Sequence, residues 1–499
     1  MQISHRGKYS IERMMALDEY TQTTSMLRVL LVCVASPLPM IVFVLLVELI
    51  PLQSSSDGWR ANYGIWIRTF IQAGTVALAA ADQARYFIAV QFFVIQRIIL
   101  FFNVAVTYTA AAILAAAFVG FPIPFMAITM SVAFFPVLII SFRIVIGGRV
   151  FRKILAQHSQ LFAFVGFLSA QMLLLLVYPF YQVLFGAASD NVGYQLSALL
   201  LLPLLKSAMK NLVSLTISRM EDLVPEGVIF TVDFFNAVYL ATSMQNTTSA
   251  ITVAIIMVID VIQTGIALKD LYKRTDVIVE RLQELTGNAV TQKNVLEAAL
   301  SVCRSTASFK KQQRTFIRTK SCLPYDLSDA SRTLLDQLQY FPHSSLTNDL
   351  LTPQPPALPH CPQNAFQCET LRLLFTTECL ILAEYLESIM PFLYAIFVLV
   401  MVKLPNAQYH SELEGIDVSN VNIRVRSVFI YGSLELLSMV ALVVILAQRG
   451  GFKVLHQLAF ALETQRSLVQ GKLLLWMLMV MGFRVVHFGA DFTFHFAWL

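Results

Sequence analysis

Charged side chains are scarce in this sequence. Asp, Glu, Lys and Arg make up 13% of its 499 residues, against about 25% in a soluble domain. With 57% hydrophobic residues, that shortfall excludes a soluble globular enzyme. Period-2 alternation is missing as well, which removes a transmembrane β-barrel. Neither a P-loop, a kinase motif set nor a nucleophile elbow is present, so no catalytic domain is expected and the chain reads as a non-enzyme. Six cysteines are few for this length, and most fall in one polar loop placed below in the cytosol, where thiols stay reduced. Cys361 and Cys368, with His343 and His360 nearby, lack zinc-finger spacing, so no metal is expected. No cofactor is implied. The basic residues are spread along the loops rather than set in a stripe, which argues against nucleic acid.

What the sequence has in abundance is apolar runs of about 20 residues, the length an α-helix needs to cross about 30 Å of hydrocarbon. In lipid every backbone amide must be paired within its own segment, so the runs predict helices. The expectation is an all-α membrane protein. It is a polytopic helical bundle of about eleven (ten to twelve) transmembrane helices with one long, mostly non-globular cytosolic loop. The spans are placed near 28–51, 62–81, 98–120, 123–146, 161–187, 194–217, 228–246, 250–268, 383–403, 427–447 and 471–492. Tyr86–Gln96 is too short to cross and reads as an interfacial helix or an extension of a neighbour. The span at 228–246 is the weakest, since Asp233, Asn236, Thr242 and Ser243 interrupt it.

Lysine and arginine mark the cytosolic ends of spans, and their alternation predicts a cytosolic N-terminus in a plasma membrane or endomembrane. The first apolar run begins near Leu27, after Glu12, Asp18 and Glu19, which suits a signal-anchor helix and not a cleaved signal peptide. Four regions follow: a cytosolic segment 1–27, a transmembrane bundle 28–268, a cytosolic loop 269–382 and a closing bundle 383–499. Within the loop, Lys310, Lys311, Arg314, Arg318 and Lys320 form a basic run that reads either as a solvated topology signal or as a seat for anionic lipid headgroups. Pro353, Pro356, Pro359 and Pro362 share one edge of a polyproline helix, suiting a stiff linker or an SH3-type ligand. Residues 369–388 read as an amphipathic stretch along the inner interface or in the cytosol.

Ionisable residues inside spans are expensive and are functional candidates for that reason. Two clusters emerge when depth is counted at 1.5 Å per residue. In the first, Lys206 and Lys210 lie roughly 16 and 10 Å from the cytosolic end, and Asp233 and Asp260 roughly 8 and 12 Å from it. Asn236, Gln263 and Thr264 extend the polar stripes of the two acids. In the second, Glu435 (with Ser438) and Arg484 fall at matching depth, and Arg484, His487 and Asp491, at i, i+3 and i+7, make one polar edge of the final helix. His487 is then a candidate proton relay. Glu48 and Arg68 make a third, structural pair. Prolines interrupt the first span (Pro37, Pro39) and the sixth (Pro203), as in transporters built from inverted repeats.

The stretches His456-Gln-Leu-Ala-Phe-Ala-Leu-Glu463, Val469-Gln-Gly-Lys472 and His487-Phe-Gly-Ala-Asp-Phe-Thr-Phe494, with the early Trp59, Asn62 and Trp66-Ile-Arg68, carry a resemblance. On these residues the chain resembles a large set of multi-pass transmembrane proteins expanded in oomycetes. The resemblance implies the many-span layout with one long basic loop, and it carries no activity, ligand or site. Two functions are therefore expected from the residues themselves. One is a transporter or channel for a small solute or ion, resting on the intramembrane charges. The other is a membrane receptor or scaffold acting through 269–382.

Overall fold

The computed structural model of the chain describes residues 9–88, 90–188, 192–217, 220–246, 318–322, 325–339, 362–450 and 453–491, with Phe496 and scattered positions between 254 and 273. Helix α1 (Ile11–Thr23) is capped by Ser10, whose hydroxyl accepts from the Arg13 amide. Helices α2 (Met26–Ala35) and α3 (Leu38–Glu48) make the first span, broken at Ser36-Pro37. Next come α4 (Tyr63–Ile88), α5 (Val94–Val119), α6 (Ser131–Ile146) and α7 (Gly148–Ala156). They are followed by α8 (His158–Ala187), α9 (Val192–Ile217) and α10 (Val224–Asn246). After the intervening segment, α11 (Asp329–Gln339) leads to α12 (Pro362–Met401), α13 (Val421–Gly450), α14 (Val454–Thr464) and α15 (Arg466–Arg484).

Among the described residues, eight helical segments are long and apolar enough to cross a bilayer, and nine if α6 and α7, bent by 118°, count as one. The chain is a multi-pass helical membrane protein. The wide apolar faces that α2, α3, α5 and α13 leave exposed are the surfaces that lipid covers.

Three differences from the sequence expectation have physical causes. The weakest-looking span is the best enclosed: Val224–Gln245 is buried throughout its most apolar window, packed by α8, α9, α12, α13 and α15. Its polar residues lower its hydropathy because they face helices and not lipid. The span placed at 383–403 is part of a single helix that starts at Pro362, with Cys368–Met401 as the span. Its first half does not lie along the interface, for Leu371, Leu374, Phe375 and Glu378 are buried. The span placed at 471–492 ends at Arg484, where Val485 turns to extended backbone. This helix, α15, is enclosed along most of its length and is not among the eight. The stretch 250–268 is described in part: 254–255, 258–259, 261–266 and 268 are helical. Tyr86–Ile88 closes α4 and Val94–Gln96 opens α5. Pro203 sits inside an unbroken α9, so the proline interruptions do not match.

Contacts at helix ends fix directions. Gln96 at the start of α5 donates to the Val145 carbonyl at the end of α6, 3.2 Å away, so these helices are antiparallel. Helices α10 and α12 run parallel, because along each the residue that meets Arg13 precedes the one that meets Arg484. Gly64 admits close approach at the Arg484 end: a Cβ there would meet the Pro51 carbonyl oxygen at 2.0 Å.

Candidate intramembrane charge site

Helices α10 and α12 are bridged by cations at three successive levels. At the first, Arg13 reaches in from α1. Its Nη2 lies 2.6 Å from Glu226 Oε1 on α10 and 2.7 Å from Glu378 Oε1 on α12, with all three side chains at 0% exposure. Its Nη1 donates to the Asp222 carbonyl, and the guanidinium sits 4.8 Å from the Tyr9 ring centroid. Tyr9 donates to Glu378 and accepts from Gln457 at 2.8 Å. Ile11 through Leu17 are buried without a gap, so the first half of α1 is enclosed on every side. Residues 318–322 close over it: Ile11 N donates to Arg318 O at 3.0 Å, Ser321 N to Glu12 Oε2 at 2.7 Å, and Cys322 N to Asp222 Oδ2 at 2.9 Å.

The second level lies about 10 Å farther along α10. Lys206 on α9 bridges Asp233 Oδ1 on α10, at 3.3 Å, and Glu387 on α12. Lys210, one turn along α9, is 2.7 Å from the same Asp233 oxygen. Asp233 is wholly buried, while the two lysines keep 16% and 22% of their side chains exposed. Glu384, on the Glu387 face of α12, accepts from Thr264 and from Ser438 on α13, both at 3.1 Å.

The third level is set by Arg484 at the end of α15. Its Nη2 donates to Thr242 Oγ1 on α10 at 2.8 Å. Its guanidinium carbon lies 5.5 Å from the ring centroids of Tyr239 on α10 and Tyr394 on α12. Outward from it runs a buried chain of alternating charge. Arg484 Nε is 3.3 Å from Glu412, His410 Nδ1 is 3.8 Å from Glu412, His410 Nε2 is 3.1 Å from Glu48, and Arg68 Nη1 is 2.6 Å from Glu48. Burial opposes protonation of His410, but its bonds to Glu412 and Glu48 and their charges outweigh that and push its pKa up to about 9. Burial likewise opposes ionisation of Glu412, but Arg484 and His410 together hold its carboxyl below the usual range.

A pH dependence follows. A histidine whose folded pKa is raised contributes stability that is fully present below its ordinary value near 6.5 and is lost as pH climbs through about 9. The span between those values corresponds to about 3 kcal/mol. Thermal unfolding of the detergent-solubilised protein is expected to weaken between pH 7 and 10. His410→Gln should start lower and lose less over that range. Parallel pH profiles for the two proteins would remove His410 from the chain of charges.

The sequence placed Lys206, Lys210 and Asp233 at matching depth, and the structure brings them together. Asn236, one turn along α10, is buried but gives no hydrogen bond to the group among the described residues. Gln263 is half-buried on the segment whose Thr264 reaches Glu384. Asp260 lies outside the described residues. The expected pair of Glu435 with Arg484 does not form: the acid beside Arg484 is Glu412, while Glu435 is buried on α13 and Ser438 serves Glu384. His487 and Asp491 follow the end of α15, so they share no helical face with Arg484. Burial holds the His487 pKa below its usual range, and the ring lies 2.6 Å from the Gln53 carbonyl and edge-on to Tyr409. These contacts pack the ring between that carbonyl and Tyr409. The Glu48–Arg68 pair is present.

Sequence reasoning missed Arg13, Glu226, Glu378 and Glu412, because each lay in a stretch assigned outside the hydrocarbon, and it passed over Glu387, which fell inside the span placed at 383–403. It also set Lys472 among the basic residues of the inner side. The structure buries this lysine on α15, donating to Gly227 O at 2.8 Å and to Thr231, above the Phe167 ring. Lys310, Lys311 and Arg314 of the expected lipid-binding run lie outside the described residues. Arg318 turns inward to Asp222, which removes it from a lipid-facing role, and Lys320 is exposed. Among the described residues no group of His, Cys, Asp and Glu is placed to hold a metal ion. No protein-family model, curated protein or solved structure matches the chain.

Proposed function

We propose that this protein is a transporter or channel that carries a small ion or solute along the seam between α9, α10 and α12. The Lys206–Lys210–Asp233–Glu387 group is its midway station, and the Arg13 and Arg484 levels close the two ends. One observation carries the reading: the same two helices are bridged by cations at three depths, and the middle cations keep exposed surface while their acid is sealed. An ammonium exposed to hydrocarbon costs several kcal/mol, whereas one that meets water does not, so the partial exposure of the lysines favours a hydrated path beside them. An ion entering that path competes for Asp233 with lysine, and a carboxylate-bearing solute competes for lysine with Asp233. Either exchange loosens α9 from α10.

Flux into liposomes tests this. Vesicles holding the purified protein should pass protons, alkali cations or small carboxylates, scored singly, faster than empty vesicles. Lys206→Met should lower that flux at least tenfold. Wild-type vesicles no leakier than empty ones across the panel would contradict the reading.

The second reading, a receptor or scaffold acting through 269–382, draws on one contact. A stretch in the middle of that loop, 318–322 with Tyr325, is hydrogen-bonded to α1 beside Arg13. A partner pulling on the loop would act directly on the first level.

A further inference from the structure

Helix α7 is short, amphipathic and set across the bundle. Gly147, at φ +81°, ends α6, and α7 departs at 118° to it, so it runs across the span and not along it. At 100° per residue, Arg149, Arg152 and Lys153 fall on one side, and Val150, Phe151, Ile154 and Leu155 on the other. The apolar side is split in use. Ile154 is buried against the main core, while Val150 and Leu155 are 44% and 42% exposed. All three basic residues are exposed, as is Arg143 in the last turn of α6. Among the described residues none of these four cations is paired with a carboxylate; Arg152 Nε meets only the Gly148 carbonyl, at 3.3 Å. The helix lies at the Arg13 end, since α8 begins just after it and α10 begins at that same end.

We infer that α7 is a binding site for anionic phospholipid. Arg143, Arg149, Arg152 and Lys153 grip headgroup phosphates and carboxylates, and Val150 and Leu155 sit in the acyl boundary. The geometry suits an interfacial helix: cations on one side, exposed apolar residues on the other, an axis across the spans, and no internal acid to neutralise the charge. Each basic residue held near an anionic surface contributes to binding, and this site gathers four of them within the eleven residues Arg143–Lys153. The site is independent of the charge levels on α10 and α12 and needs no transport activity.

The experiment uses the full-length protein in mixed micelles of phosphatidylcholine and phosphatidylserine, re-isolated by gel filtration, with bound lipid counted by native mass spectrometry. Wild type should retain phosphatidylserine severalfold over phosphatidylcholine. Arg149→Gln/Arg152→Gln/Lys153→Gln should abolish that enrichment while keeping the wild-type melting temperature. Arg424→Gln/Arg426→Gln, at the other end of the bundle, should leave it intact. Inorganic phosphate at millimolar concentration should not displace the lipid; if it does, the site is one for free phosphate and the lipid proposal fails. Undiminished enrichment in the triple variant, or none in the wild type, would overturn it. If neutralising Lys310–Lys320 abolishes the enrichment instead, the binding belongs to that run and not to α7.

Discussion

Replacing Arg13 by alanine is expected to cost about 3–5 kcal/mol of folding stability, because it leaves two carboxylates sealed without their cation. Glu226 and Glu378 share one guanidinium at 2.6 and 2.7 Å with no solvent exposure. Tyr9 and Gln457 complete the shell on the Glu378 side. Removing the centre strands all of it, and helix α1 should detach from α10, α12 and α14. In thermal unfolding, Arg13→Ala should show a midpoint far below wild type, or yield little folded protein. Arg13→Lys should recover part of the loss, since one ammonium cannot reproduce a fork that meets two acids and a carbonyl. The combination Arg13→Met/Glu226→Gln/Glu378→Gln should recover more, because it removes buried charge on both sides of the balance. A wild-type midpoint in Arg13→Ala would show that the first level contributes nothing.

Changing Asp233 should separate stability from flux. In Asp233→Ala, Lys210 loses the acid at 2.7 Å and Lys206 loses one of its acids while keeping Glu387; the expected cost is again about 3–5 kcal/mol. Adding Lys210→Met should return much of that stability by removing the stranded cation. It should not return flux, which is expected to stay at least tenfold below wild type, because the exchange at Asp233 is gone. If the double variant regains both, the middle level is a helix clamp and the path lies elsewhere. If it regains neither, Asp233 is held by groups beyond the two lysines.

Much of the bundle was readable from apolar runs, and the reason is physical: lipid demands about 20 apolar residues whatever the rest of the fold does. The same logic misjudged the central helix. Val224–Asn246 carries Glu226, Thr231, Asp233, Thr242 and Ser243, each buried against protein, and hydropathy cannot tell a polar residue facing a neighbour from one facing water. Depth arithmetic found Lys206, Lys210 and Asp233 because they sit on regular helices with well-marked ends. It failed for Arg484, whose partner Glu412 lies in the connection after α12, and depth says nothing about a loop that folds back. Arg13 was invisible for the same reason, lying on a polar segment ahead of the first span. Glu378 was discounted because α12 was taken to enter the membrane later than it does, and Glu387, inside the span placed at 383–403, was read only as part of the amphipathic stretch 369–388. Pairing across a bundle depends on which helices meet, and a single sequence does not carry that.

In a background with the native cysteines replaced, a cysteine at position 210 should react slowly with a small aqueous thiol reagent while the first level is intact. It should react at least tenfold faster once Arg13, Glu226 and Glu378 are neutralised together in a protein that still folds. Equal rates with the clamp present and absent, or no reaction in either, would mean that no hydrated route runs from α1 to the buried lysines.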